Sequence, residues 1–155
     1  MAKRQYQNIS QVSNAMGIVV ADVVMNEVRD AIVKVWLDHQ DELVYGVYDP
    51  MQYVRRGEQG GLADESNIEE IVTGSVNKEL EMILTNTTRG ANDAAGRFIN
   101  ELIEGTAGFA GDPETGMPPR PYTEPAIRYL QSNRDIISNA IRAGFARHGI
   151  PVRVR

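Results

Sequence analysis

Acidic side chains carry most of the chemistry that this sequence could perform. Carboxylates close together can act as general acid and base or hold a hard cation. They occur in four groups: Asp38 with Asp41 and Glu42, Asp64 with Glu65, Glu69 with Glu70, and Glu101 with Glu104. No group has a third partner at a spacing that defines a catalytic or metal site. Because solvated structural charges far outnumber catalytic ones, we interpret all four as surface charges.

Other catalytic and cofactor-binding patterns are missing from the sequence. The chain has no cysteine and two histidines, His39 and His148, so a thiolate site and an imidazole cluster are excluded. The glycines of residues 57–61 lack the Gly-Lys-Ser/Thr ending of a phosphate loop, and we interpret this run as a flexible turn. No nucleophile elbow is present. The sequence therefore predicts no catalytic, cofactor or metal site, and a protein that is not an enzyme.

Charge is unevenly distributed along the chain. Residues 1–117 contain 9 basic and 19 acidic side chains, whereas residues 118–155 contain 7 basic and 2 acidic ones. Three interpretations remain open: the basic end contacts nucleic acid, copies of the chain associate head to tail, or a basic helix balances its own domain. The N-terminus has no apolar signal core, and no apolar run is long enough to span a bilayer, so we expect synthesis in the cytoplasm and no membrane partner.

A long helix is predicted for residues 10–43. Seven apolar residues recur every four positions, which is typical of one helical face: Val12, Met16, Val20, Val24, Val28, Ile32 and Trp36. Gly17 is a candidate bend. The helix is longer than a domain of this size is wide. We therefore expect part of the stripe to pack on another subunit or on the C-terminal helix.

The rest of the chain predicts a small sheet and two further helices in a single domain of the α+β class. Ile71 and Val72 indicate a first strand, and Leu80, Met82 and Leu84 alternate with exposed positions in a second. Gly105 is placed to end a helix in a left-handed cap, and Thr123 to begin one as its N-cap. The predicted elements are an extended arm at 45–68, a β-hairpin at 69–87, a short helix at 92–104, a loop at 105–121, and a helix at 123–148 that Ser132 and Asn133 can divide.

The second half of the chain resembles the tail-completion or neck proteins of long-tailed double-stranded DNA bacteriophages. The resemblance covers residues 91–150 and rests on three features: an apolar helix ending in Glu104-Gly105-Thr106, a Gly/Pro-rich loop, and Met-Pro-Pro-Arg-Pro-Tyr (117–122) before a helix beginning TEPAI. The arm at 48–69 also looks like a form found in such proteins. The family often has a Tyr-rich turn before Glu-Gly-Thr. This chain differs there, because residues 100–103 read Asn-Glu-Leu-Ile and contain no tyrosine.

The resemblance implies a non-enzymatic head–tail connector in the virion neck, forming a ring around the DNA channel, with six copies by family analogy. It implies head-completion and tail proteins as partners, and the arm and loop as the parts that reach them. A tail terminator capping the tail tube, or a small DNA-binding protein, remain alternatives. The candidate interface residues are Tyr48, Tyr53, Arg55, Arg56, Glu104, Gly105, Thr106, Arg120, Pro121 and Tyr122. Arg153 and Arg155 are candidates for DNA-channel or partner contacts.

Overall fold

The computed structural model describes residues 7–47, 59–75, 79–89, 99–105 and 119–153, and all structural statements concern these ranges. The fold is α+β, as the sequence predicts. Five α-helices and a two-stranded antiparallel sheet are assigned within these ranges. They are α1 (Ile9–Val23), α2 (Arg29–Gln40), β1 (Ile68–Ser75), β2 (Glu79–Asn86), α3 (Ile99–Glu104), α4 (Thr123–Ser132) and α5 (Asp135–Arg147).

The N-terminal helix is continuous, but two segments have π-helical geometry: Val24–Val28 and Asp41–Tyr45. Gly17, the predicted bend, lies instead within the regular α1 and is buried. The irregularity begins at Val24. Within it, the Asn26 side-chain amide donates to the Asp22 carbonyl oxygen at 2.7 Å. A bond of this kind competes with the backbone ladder of a helix. The bend at Gly17 stays a prediction.

The chain divides into two compact units. The first contains Met1–Ala31, Ile71–Ile83 and Arg134–Arg155; the second contains Ile32–Glu70 and Leu84–Asn133. In the first unit, α5 packs on α1 and on the π-helical segment Val24–Val28, and Val23 and Val28 are buried. In the second, the core includes Trp36, Val44, Leu62, Tyr122 and Ala126. The prediction of a single domain remains a prediction.

Polar side chains hold the end of the arm to the end of β2, within the second unit. Asn86 and Thr88 are both 1% exposed. The Asn86 amide donates to the Leu62 carbonyl oxygen at 2.8 Å, and the Thr88 hydroxyl lies 3.0 Å from the Gly61 carbonyl oxygen. Asp64 closes the turn by accepting from the Gly60 amide at 2.6 Å. The described part of the predicted flexible turn is therefore tightly hydrogen-bonded.

The C-terminal helix divides where Ser132 and Asn133 suggest. α4 ends at Ser132, and the side-chain amide of the next residue, Asn133, donates to the Tyr129 carbonyl oxygen at 2.9 Å. α5 begins at Asp135. In the sheet, Leu80, Met82 and Leu84 are half-buried while Glu79, Glu81 and Ile83 are exposed, so the predicted alternation of β2 is confirmed. α4 turns Ala126 inward, and the neighbouring Ile127 is 48% exposed.

Candidate functional site

The region that carries the family resemblance is anchored by the carboxylate of Glu104. α3 ends at Glu104, and Gly105 follows with a φ of +76°, the left-handed conformation that glycine adopts without strain. One Glu104 oxygen accepts hydrogen bonds from the Thr123 amide at 2.9 Å and the Thr123 hydroxyl at 2.5 Å. The Tyr122 amide lies 3.4 Å from the same oxygen. Glu104 therefore caps the N-terminus of α4.

This arrangement corrects the predicted N-cap. Thr123 is the first helical residue of α4, and Tyr122, in the cap position, makes no side-chain cap bond. A carboxylate from another helix satisfies the free amides and places its negative charge at the positive end of the helix dipole. Glu104 thus has a structural role within its own chain. Its predicted role as a partner contact stays a prediction. The sequence spacing carries no signal for a cap 19 residues away.

Two aromatic residues, Trp36 and Tyr122, lie beside the contact between Glu104 and Thr123. The Trp36 indole N–H donates to the Thr123 hydroxyl at 2.8 Å, so the indole, the hydroxyl and the Glu104 carboxylate form a hydrogen-bond chain. The Tyr122 ring lies 6.2 Å from that of Trp36, centroid to centroid, and Tyr122 is 1% exposed. Burial, together with the nearby Glu104 carboxylate, raises the pKa of the Tyr122 phenol well above its usual value. The prediction that Tyr122 anchors an interface was therefore wrong, because its side chain is inside the unit.

Arg120 brings the two ends of the 106–118 segment together. Its amide donates to the Ile103 carbonyl oxygen at 2.7 Å, and its guanidinium Nη1 donates to the Val44 carbonyl oxygen at 3.3 Å. Pro121 is exposed. We call the set Ile103, Glu104, Arg120, Tyr122 and Thr123 the Glu104 clamp. The clamp joins the described residues on either side of positions 106–118. The interface role predicted for Arg120 stays a prediction.

Other interface predictions cannot be placed. Tyr48, Tyr53, Arg55, Arg56, Thr106 and Arg155 lie outside the described residues. Arg153 is described and exposed. Its role as a DNA-channel or partner contact stays a prediction.

Helix α1 has an unusual surface that the sequence analysis did not single out. Residues 5–21 contain no charged side chain. Ile9 is 86% exposed and Ile18 is 69% exposed, and Val12 and Met16 are also exposed. Ile18 follows Met16 by two residues, so the two lie on roughly opposite sides of the helix. α1 therefore presents apolar side chains on more than one face, and the lack of charge in residues 5–21 was the sequence signal that could have revealed this.

Several arginines of the basic C-terminal part are already paired. Arg147 donates from Nε to Glu27 at 2.6 Å and from Nη2 to Asp22, and His148 Nε2 lies 2.7 Å from the same Asp22 carboxylate. These bonds to His148 and Arg147 lower the pKa of Asp22, and the Arg147 bond lowers that of Glu27. Arg128 pairs with Glu124 within α4. Part of the basic charge is thus neutralised within the chain.

Metal-binding and membrane features were also searched in the described ranges. No group of three or more His, Cys, Asp or Glu there is arranged to hold a metal ion. No helix in the same ranges combines the length and apolar character needed to cross a bilayer.

Comparison with known families identifies the relationship. The model of the YomN family matches residues 8–147, which is most of the chain. The chain belongs to the YomN family. This family is phage-derived, of the Bacillus prophage type. No curated protein and no solved structure matches the chain. The YomN assignment confirms the predicted bacteriophage origin, and it leaves the neck or tail-completion role as a prediction.

Proposed function

We propose that this YomN-family protein is a structural virion protein of a tailed phage, a head–tail connector or tail-completion protein that forms a ring around the DNA channel. One general finding supports the proposal: the family is phage-derived.

The observation that carries the proposal is the exposed apolar surface of α1, whose residues 9–21 contain no charged side chain. A helix with apolar side chains on opposite sides is typically buried, and the central part of a protein interface is depleted of charged residues. α5 packs on the segment that contains Val28, a buried residue of the stripe, whereas Val12 and Met16, earlier on the same stripe, are exposed. A neighbouring copy in a ring would cover this surface. The ring size of six is by analogy with the neck proteins that the sequence resembles.

The first experiment measures assembly of the purified protein by light scattering across concentration, with electron microscopy of any large species. We expect a discrete ring that the double variant Ile9→Glu/Ile18→Glu disperses, because a carboxylate in an apolar interface loses its hydration. Gln131→Glu adds one carboxylate at an exposed position of α4 and should leave the ring intact. Unchanged assembly of the double variant would contradict the role of α1.

A second experiment examines the clamp. Arg120→Ala removes the guanidinium bond to the Val44 carbonyl oxygen, but the backbone bond to Ile103 remains available. We expect a folded monomer, by circular dichroism, with weaker ring assembly. If Arg120→Ala assembles like the unmodified protein, the clamp does not contribute to the interface.

Partner capture separates the two closely related roles. A neck protein should retain portal-side and head-completion proteins from infected cells, whereas a tail terminator should retain tail-tube proteins. The DNA-binding alternative predicts affinity for DNA that falls steeply with salt. The pairing of Arg147 and Arg128 within the chain lowers the charge available for that role.

A further inference from the structure

The second unit has an open cleft beside the end of α2. Val35, Asp38, His39, Glu42 and Tyr129 line it, and its volume is about 270 Å³. It is separate from the Glu104 clamp, and none of its residues was predicted as an interface residue. The question is which chemical group these side chains would bind.

The polar groups that line the cleft are predominantly hydrogen-bond acceptors. His39 Nδ1 lies 2.8 Å from the Val35 carbonyl oxygen, and since a carbonyl can only accept, Nδ1 carries the hydrogen. The neutral imidazole then keeps a lone pair on Nε2. Asp38 accepts from Lys34 at 2.8 Å through one oxygen. Glu42 makes no ion pair with any residue in the described part of the chain.

The aromatic side of the cleft narrows the choice of ligand. The Tyr129 and His39 rings lie 5.2 Å apart, centroid to centroid, at an interplanar angle of 59°, and Tyr129 is 46% exposed. A guanidinium group is planar, donates several hydrogen bonds to carboxylates, and stacks on aromatic faces. A carboxylate ligand would meet Asp38 and Glu42 and be repelled. The cleft therefore suits a cation, and the aromatic rings of its lining favour guanidinium over ammonium.

We propose that this cleft binds an arginine side chain from a second copy of the chain, an inference that rests on the ring proposed above. All seven basic residues of 118–155 are arginines, while residues 1–117 are strongly acidic. Arg134 and Arg153 are exposed, and their side chains make no hydrogen bond or ion pair within the described ranges. A basic segment of one copy seated on an acidic cleft of the next forms a head-to-tail contact, which is the type that generates rings.

The ligand chemistry is tested with N-acetylarginine amide and N-acetyllysine amide at constant ionic strength. NMR follows the imidazole protons of His39, assigned with His148→Gln, since the chain has two histidines. We expect saturable shifts with the arginine compound and binding at least about threefold weaker with the lysine compound. Glu42→Gln should weaken arginine binding about tenfold. Equal binding of both compounds, or an unaffected Glu42→Gln, would overturn the proposal.

Asp41→Asn is the matched control. It removes one negative charge from the residue next to Glu42 but not from the cleft lining. Arginine binding to this variant should stay within about twofold of the unmodified protein, because an exposed charge outside the site is screened by solvent. An equal loss in Asp41→Asn and Glu42→Gln would mean that general surface charge, and not the cleft, attracts the compound.

The source of the arginine is tested by charge exchange. Glu42→Arg should disperse the ring, and adding either Arg134→Glu or Arg153→Glu should restore it. Failure of both exchanges, or a ring unaffected by Glu42→Arg, overturns the cleft as a contact while the proposed connector function stands. A protein that binds N-acetylarginine amide but never assembles instead contradicts the ring and the second-copy source, and supports the ligand chemistry alone.

Discussion

Each of the two units of this protein is stabilised internally by a different kind of contact. In the first, α5 approaches α1 closely at Gly144, and ion pairs at the solvent-exposed edge surround the contact. In the second, an aromatic pair and the Glu104 carboxylate form a buried contact through specific hydrogen bonds. The first contact depends on backbone shape, and the second on matched donors and acceptors. Substitutions should therefore affect the two units through different mechanisms.

The largest expected effect is from Tyr122→Ala in the second unit. This side chain is 1% exposed and packs on Trp36, so its removal leaves a cavity. We expect the free energy of unfolding to fall by about 3–5 kcal/mol, as for other buried aromatic residues. Urea unfolding measures the change. Tyr129→Ala removes a tyrosine that is 46% exposed and should cost much less; equal losses would contradict the packing described for Tyr122.

Glu104→Ala should have the next largest effect. It removes the acceptor of the Thr123 amide and hydroxyl, and an unsatisfied part-buried donor costs about 1–3 kcal/mol. Glu104→Gln keeps a carbonyl oxygen at the same position and should recover most of that loss. Urea unfolding of both variants measures this difference. If the alanine variant is as stable as the unmodified protein, the carboxylate does not cap α4.

Gly144→Ala tests the close approach in the first unit. A Cβ at this position would lie 2.6 Å from Val23 Cγ1 and 2.7 Å from the Glu27 carboxylate, so these side chains or the helices must shift. Overpacking costs about 1–3 kcal/mol and the higher helix propensity of alanine returns about 1 kcal/mol, so we expect a net loss of about 1 kcal/mol.

A double-mutant cycle, measured by thermal or urea unfolding, tests whether Val23 and Gly144 are energetically coupled. Val23→Ala makes room for the new methyl group, so Val23→Ala/Gly144→Ala should be less destabilised than the sum of the two single variants. Strict additivity would mean that Val23 does not limit the approach of α5.

The smallest effect is expected from Arg147→Met, and it should depend on pH. Hydrogen bonds from His148 and Arg147 lower the pKa of Asp22, and Arg147 lowers that of Glu27, below ordinary values of 3.8 and 4.5. A lowered folded-state pKa stabilises the protein above the unfolded-state pKa, and this contribution disappears as the pH falls through the folded-state value. Arg147→Met should therefore be less stable than the unmodified protein at neutral pH.

Urea unfolding between about pH 7 and about pH 2.5 checks this profile. The difference between the two proteins should be constant at neutral pH and shrink below about pH 4.5, as both carboxylates become protonated. Arg128→Met interrupts an exposed pair within one helix and should show a smaller difference at all pH values. A difference for Arg147→Met that does not change with pH would exclude the ion pairs as its source.

Local patterns in the sequence were sufficient for much of the fold. The four-residue apolar repeat predicted the long helix, and the alternation of Leu80, Met82 and Leu84 predicted β2, because side-chain direction follows the helical or strand period. Gly105 ends α3 with a positive φ, which depends on the absence of a Cβ in that residue alone. These features need no knowledge of distant neighbours.

Tertiary structure decided which side chains are buried and which hydrogen-bond partners they meet. Val23 and Val12 belong to the same kind of apolar stripe, but α5 packs against α1 where Val23 is buried, and Val12 is exposed. Glu104 caps α4, and Tyr122 is a core residue instead of an interface anchor. Burial and long-range hydrogen bonds depend on segments far apart in the chain, so residue type and spacing alone do not determine them.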